Sequence, residues 1–125
     1  MAHQSRLAGF IIDCQDTPAD EGARFWAAAL GLQAQPSYAE DGAEYADLQG
    51  APAGLNVEVQ RVDHPSRVHL DIESDDIDAE ADRLKRLGAR RIGFVKRWWV
   101  MEAPTGHRFC IVRMREREVP ANHWP

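Results

Sequence analysis

Cysteine is scarce in this chain. Cys14 and Cys110 are its only two, far apart in sequence and expected on strands with Cys14 toward the core and Cys110 on the opposite face. A disulfide is therefore not expected, which fits a reducing compartment. No apolar run approaches the roughly 20 residues that a membrane span needs. The opening Met1-Ala2-His3-Gln4-Ser5-Arg6 lacks the charged-then-apolar order of a signal peptide. A soluble, cytoplasmic protein without a membrane partner is the expectation. Positive charge is also in deficit, with 15 Lys and Arg against 20 Asp and Glu and a formal net charge of −5. Apart from Arg90, Arg91, Lys96 and Arg97 the basic residues do not cluster, so nucleic acid is not an expected partner. The 125 residues are about enough for one domain with its own core.

What the chain does have is a central stretch, Arg67-Val68-His69-Leu70-Asp71-Ile72-Glu73, with strict period-two alternation. Val68, Leu70 and Ile72 are expected on one side of a half-buried strand, with His69, Asp71 and Glu73 on the other. Upstream, residues 7–14 read as a buried strand that ends in the turn signals Asp16, Thr17 and Pro18. A helix is expected to follow, with Thr17 as its cap, Pro18 at its first position, and Asp20 and Glu21 at the positive end of its dipole. Phe25, Ala29 and Leu32, with Trp26 and Leu30, form its expected apolar stripe, and Gly31 its left-handed stop. Three short segments follow over 32–38, 43–48 and 55–62, the first pair joined by the hairpin signal Asp41-Gly42. Leu55, Val57 and Val59 are expected toward the helix, leaving Asn56, Glu58 and Gln60 on the open face.

After the His69 strand the order repeats. Asp75 or Asp76 caps a second helix on which Ile77, Ala81, Leu84 and Leu87 recur, Gly88 stops it, and Asp82 and Arg86 are spaced to pair on its surface. Segments over 90–95, 98–102 and 108–114 close a second copy of strand, helix and three strands, so the fold class is α+β built from a doubled module. The modules span 6–62 and 66–114, giving one domain over 1–114. The tail 115–125 is charged, bounded by proline and expected to be extended or to lie on a partner chain.

The segments Leu-Ala-Gly-Phe-Ile-Ile-Asp-Cys at 7–14, Arg-Phe-Trp-Ala-Ala-Ala-Leu-Gly at 24–31, Arg-Val-His-Leu-Asp-Ile at 67–72, Leu-Gly-Ala-Arg at 87–90 and Ala-Pro-Thr-Gly-His-Arg-Phe-Cys at 103–110 resemble the glyoxalase-like branch of the vicinal oxygen chelate superfamily. That superfamily also holds bleomycin-resistance proteins and extradiol dioxygenases. The resemblance covers nearly the whole chain and implies two βαβββ modules that form a curved cleft, with a divalent metal in many members. The implied ligand positions fall on Gly9, on Asn56 or Glu58, on His69, and on Cys110 where a carboxylate is usual. Two modules can form one cleft internally or two by exchange with a second copy, so a homodimer is expected.

Two function classes follow. In the leading one the chain binds an aromatic or drug-like small molecule beside a degenerate metal site, with no cofactor expected. One of the adjacent Trp98 and Trp99 offers a stacking face, and Asp13, Gln60, His69, Arg108 and Cys110 orient the ligand. The alternative is a metal-dependent lyase or isomerase in which His69 and Glu58 hold a divalent ion while Glu58 or Asp71 moves a proton.

Overall fold

The structure is a computed structural model that describes residues 2–115 and 119–125. Its elements are β1 (His3–Gln15), α1 (Ala19–Leu30), β2 (Gln33–Ala34), β3 (Tyr38–Glu40), β4 (Ala43–Gln49), β5 (Asn56–Val62), β6 (Arg67–Ser74), α2 (Ile77–Arg86), β7 (Arg90–Val95), β8 (Trp98–Glu102), β9 (Arg108–Arg113) and β10 (Asn122–Trp124). They form two compact units, a central one over Gly9–His69 and a terminal one over Met1–Ala8 with Leu70–Pro125. The chain passes between them inside β1 and inside β6. No helix among the described residues is long and apolar enough to cross a membrane.

In the central unit the strands run in the order β2-β4-β5-β1, with β3 also on β4. The first expected segment, 32–38, is in fact two short strands, so four strands rather than three follow α1. Asp41 and Gly42 both take positive φ, 52° and 81°, and turn β3 into β4 as the Asp-Gly pair requires. Helix α1 covers one face of the sheet through Ile12, Ala19, Ala23, Ala27, Ala46, Leu48 and Val59, with Val57, Cys14 and Trp26 packed against them. The helix stripe differs from the expected one. Phe25 is 63 % exposed and Leu30 51 %, because the face that meets the sheet is made of small residues. A Cβ on Gly22 would sit 3.0 Å from the Val59 side chain, so the helix lies too close for large side chains, and they are displaced to its outer side.

The start of α1 also departs from expectation. Thr17 donates to the Gln15 carbonyl instead of capping, and the Glu44 carboxylate accepts the Ala19 amide in its place. An acid from the neighbouring β3–β4 hairpin thus serves the positive end of the helix. Gly31 ends α1 in the left-handed conformation, φ 70°.

The terminal unit has β6 parallel to β9, then β8 and β7 antiparallel. Asp76 caps α2 by accepting the Ala79 amide at 3.0 Å. The core joins Ile77, Ala81, Ala89, Met101, Phe109 and Ile111, with Ile72, Leu84 and Trp99 beside them. Leu87, expected on the buried stripe, is 66 % exposed, since α2 ends at Arg86 and the stripe ends with it. Asp82 pairs with Arg91 at 2.7 Å and not with Arg86. On β6 the core takes in Ile72 and stops there, so Val68 and Leu70 stay about half exposed while Glu73 is buried. The tail does not run free: Asn122–Trp124 pairs antiparallel with His3–Ser5 of the same chain, and the Trp124 indole N–H donates to the Ser5 hydroxyl at 2.8 Å.

One buried cluster of the terminal unit had no signature in the sequence. Glu80, fully buried, faces His3 Nε2 at 2.8 Å and takes a two-pronged contact from Arg83 at 2.7 and 2.9 Å. The Arg83 guanidinium in turn lies 3.8 Å from the Trp124 ring centroid. Burial opposes ionisation of Glu80, but hydrogen bonds from Arg83, Ser5 and His3 and the Arg83 charge outweigh it and hold the carboxyl at about 2.

Candidate functional site

Away from α1, the central unit presents a second sheet face, and strand register sets what lies on it. Asp13 is opposite Gln60 and Ile11 opposite Glu58 across the β1–β5 pair. Tyr45 is opposite Gln60 and Asp47 opposite Glu58 across β4–β5. Tyr38 is opposite Tyr45 across the hairpin. One row therefore reads Tyr38, Tyr45, Gln60, Asp13, and the next row brings Asp47 against Glu58. The two tyrosine rings stack with centroids 5.6 Å apart.

Asp13 is the pivot. It is 2 % exposed, and its Oδ2 accepts from His69 Nδ1 at 2.8 Å, with Arg67 Nε 3.8 Å away. An ionised carboxylate can only accept, so the bond fixes the proton on Nδ1 and sets the tautomer and ring orientation of His69. Its other oxygen, Oδ1, is buried and has no hydrogen-bond partner among the described residues. A buried acceptor left in that state costs about 1 to 3 kcal/mol unless a water, an ion or a ligand completes it.

The Tyr38 hydroxyl donates to Asp47 Oδ1 at 3.2 Å. Burial first, then the charges of Glu58 and Asp47, push its ionisation well above the ordinary tyrosine value. An open groove of about 740 Å³ runs along the end of the same unit, and its lining includes Asp16, Glu44, Gln60, Asp63 and His64. Cys14, turned toward α1, has its thiol pushed up by burial and by the Asp13 charge, which lowers its thiolate fraction.

The other sequence-derived candidates belong to the terminal unit. Asp71 and Cys110 are register partners, and Val100 lies opposite Cys110 on the far side. Both cysteines are free thiols. Arg108 is committed to Glu102, which sits between Arg90 at 2.9 Å and Arg108 at 3.1 Å. These two cations lower the Glu102 carboxyl, Arg90 more than Arg108. Trp99 packs on the α2 core and donates its indole N–H to Asp78 at 2.8 Å. Trp98 is by alternation on the opposite face, with the Lys96 ammonium 5.6 Å from its ring. Of the two tryptophans, Trp99 is the one packed on the α2 core. The sequence missed Tyr38, Tyr45 and Asp47. A signal was there, since Tyr38 and Tyr45 are equidistant from the Asp41-Gly42 turn and a two-residue hairpin pairs such positions.

The residues present do not fit the four-ligand metal constellation. At Gly9 the position has no donor, and it cannot acquire one, because a Cβ there would lie 2.0 Å from the Asn56 carbonyl oxygen. The register settles that Asn56 is opposite Gly9 and Glu58 is one step further on, opposite Ile11. The metal-capable side chains that remain, His69, Asp71 and Cys110, are an imidazole, a carboxylate and a thiol. Three such donors are short of the four-ligand set and are not the oxygen-rich set of a hard divalent ion, though they are of the kinds that a borderline ion such as Zn2+ accepts.

Comparison with known proteins agrees with the architecture. The Glyoxalase-like domain family matches residues 9–112. Among solved structures, a methylmalonyl-CoA epimerase in complex with methylmalonyl-CoA and NH4+ superimposes with a TM-score of 0.67 at 18 % identity, over 94 % of this chain and 99 % of that one. The methylmalonyl-CoA epimerase from Mycobacterium tuberculosis gives 0.64 at 16 %, over 89 % of each chain. A hypothetical protein from Bacillus halodurans C-125 gives 0.65 at 14 %, over 93 % and 99 %. At these identities the likeness is one of fold. No curated protein matches the sequence. Strand order, doubled module and family match converge, and the chain belongs to the Glyoxalase-like domain family of the vicinal oxygen chelate superfamily.

Proposed function

We propose that this chain binds a small aromatic or drug-like molecule on the sheet face of its central unit that is turned away from α1, without a resident metal. Asp13 carries the reading, as a buried carboxylate with one oxygen holding His69 and the other without a partner among the described residues. A ligand N–H or O–H completes that oxygen. Gln60, in the same row, offers both a donor and an acceptor, and the Tyr38–Tyr45 stack supplies an aromatic surface one strand further on. The proposal needs none of the terminal unit's residues. A cytoplasmic location and a homodimeric state complete it.

A second reading, an isomerase or lyase that moves a proton, is favoured by the Asp13–His69 bond at 2.8 Å. A carboxylate on one ring nitrogen orients the imidazole, as the partner of a histidine general base does. Glu58, on the same face, is the second candidate for handling a proton. The epimerases among the structural neighbours act on a CoA ester by name, and such an ester is the natural first substrate to try.

A screen of neutral and charged aromatic fragments against isotope-labelled protein tests the binding reading. Hits are expected to shift the amide signals of Asp13, Tyr45 and Gln60 together. Hits that leave those three unmoved and gather elsewhere contradict it.

A further inference from the structure

We infer that the open groove at the end of the central unit is a docking site for an extended, basic peptide, which adds to β5 where β4 leaves it. The inference goes beyond the aromatic-ligand reading and does not rest on it. Strand β5 (Asn56–Val62) and strand β4 (Ala43–Gln49) stop pairing at Tyr45–Gln60, short of the ends of both. Beyond that pair β4 continues only in its hairpin with β3, where Ala39 and Glu40 face Glu44 and Ala43. On the other side of β5 the Val62 carbonyl accepts from the Asp16 amide. Backbone groups alternate in direction along a strand, so those of Arg61 and Asp63 point away from β1, toward the place that β4 has left. The space there is the groove of about 740 Å³, and Ala43, Glu44, Arg61 and Asp63 line it.

A strand edge without a neighbour offers acceptors and donors at alternate residues to any extended chain. Here the Arg61 carbonyl accepts the N–H of one peptide residue and the Asp63 amide donates to the carbonyl of the same residue, the pattern of a parallel pair. Charge then selects the peptide. Among the described lining residues Asp16, Glu44 and Asp63 stand against Arg61. Glu44 is engaged, since it accepts from the Ala19 amide. Asp16 and Asp63 are exposed, and among the described residues no side chain pairs with either. Lysine or arginine side chains on both sides of the paired residue complement these two carboxylates.

The test uses three acetylated and amidated tripeptides, Lys-Val-Lys, Glu-Val-Glu, and Lys-Val-Lys with an N-methylated valine, each titrated into isotope-labelled full-length protein. Lys-Val-Lys is expected to bind saturably, to shift the amide signals of Gly42, Glu44 and Asp63 together, and to slow hydrogen exchange at Asp63. The acidic peptide is expected to bind at least about tenfold more weakly, and added salt to weaken the basic one. The N-methylated peptide keeps both charges but has no N–H for the Arg61 carbonyl, and is expected to lose about tenfold in affinity. Asp63→Asn and Asp16→Asn are each expected to reduce Lys-Val-Lys affinity a few-fold. Both positions are exposed, and asparagine tolerates the positive φ of Asp16, 51°. Equal binding of the N-methylated peptide overturns strand addition, and equal binding of the acidic one overturns the basic partner. Failure of Lys-Val-Lys to bind, or shifts that gather elsewhere, overturns the whole inference, and leaves the aromatic-ligand reading to its own reporters at Asp13 and Tyr45.

Discussion

Gly9→Ala is expected to destabilise the protein by about 3 kcal/mol, far above the usual effect of adding one methyl group. The Cβ would fall 2.0 Å from the Asn56 carbonyl oxygen and 2.8 Å from its carbonyl carbon. That obstacle is backbone, at the first pair of a parallel β1–β5 ladder that runs from Gly9–Asn56 to Gln15–Val62. No rotamer relieves it, so the two strands must part at that point and with them the row that holds Asp13 opposite Gln60. Urea denaturation of both proteins measures the difference, and a loss below about 1 kcal/mol contradicts the close approach. The same geometry predicts that Gly9→His, which restores a donor at the family's first ligand position, loses stability without gaining metal.

Glu80→Gln is the second large effect. The folded carboxyl sits at about 2 against an ordinary 4.5. A depression of that size corresponds to roughly 3 kcal/mol of stability carried by the charged form. Because the folded value is the lower one, this stability is fully present above the unfolded value and is lost as pH falls toward 2. Neutralising Glu80 leaves the Arg83 guanidinium facing a group that no longer answers its charge, and that lost attraction is part of the same loss. Chemical denaturation at pH 7, 4 and 2 is expected to show the variant less stable by about 3 kcal/mol at pH 7, with the gap closing toward pH 2. A gap that stays constant from pH 7 to pH 2 would place the effect in packing and not in charge.

Much of this fold was legible in the sequence, and the parts that were not have a common cause. Local chemistry spoke clearly. Asp41-Gly42 turned a hairpin, Gly31 ended α1 in a left-handed residue, Asp76 capped α2, and Val57 and Val59 pointed toward the helix with Glu58 and Gln60 away from it. What failed depended on distance between elements. Phe25 and Leu30 look like a helix stripe until the closeness of α1 to the sheet is known, and Gly22 with its alanines is what sets that closeness. Glu80 reads as a surface acid of an amphipathic helix, yet its partner His3 lies 77 residues away and Trp124 closes over Arg83 from the other end of the chain.

The candidate site divides along the same line. His69 was named from strand alternation and Asp13 as one of the residues that orient a ligand, but their bond spans 56 residues, and nothing in the sequence says that Asp13 holds the imidazole or that its other oxygen is left without a partner. Trp98 and Trp99 were known to face opposite ways. Which one met the core was decided by Ile111, the register partner of Trp99 on β9.

The most direct measurement is the metal content of the full-length chain, purified without chelator and without added metal, by elemental mass spectrometry alongside His69→Ala. With glycine at one ligand position and cysteine at another, well under one ion per chain is expected, with no difference between the two proteins. One transition metal per chain, held through dialysis and lost in His69→Ala, would contradict a degenerate metal site and put metal-dependent isomerase or lyase chemistry first.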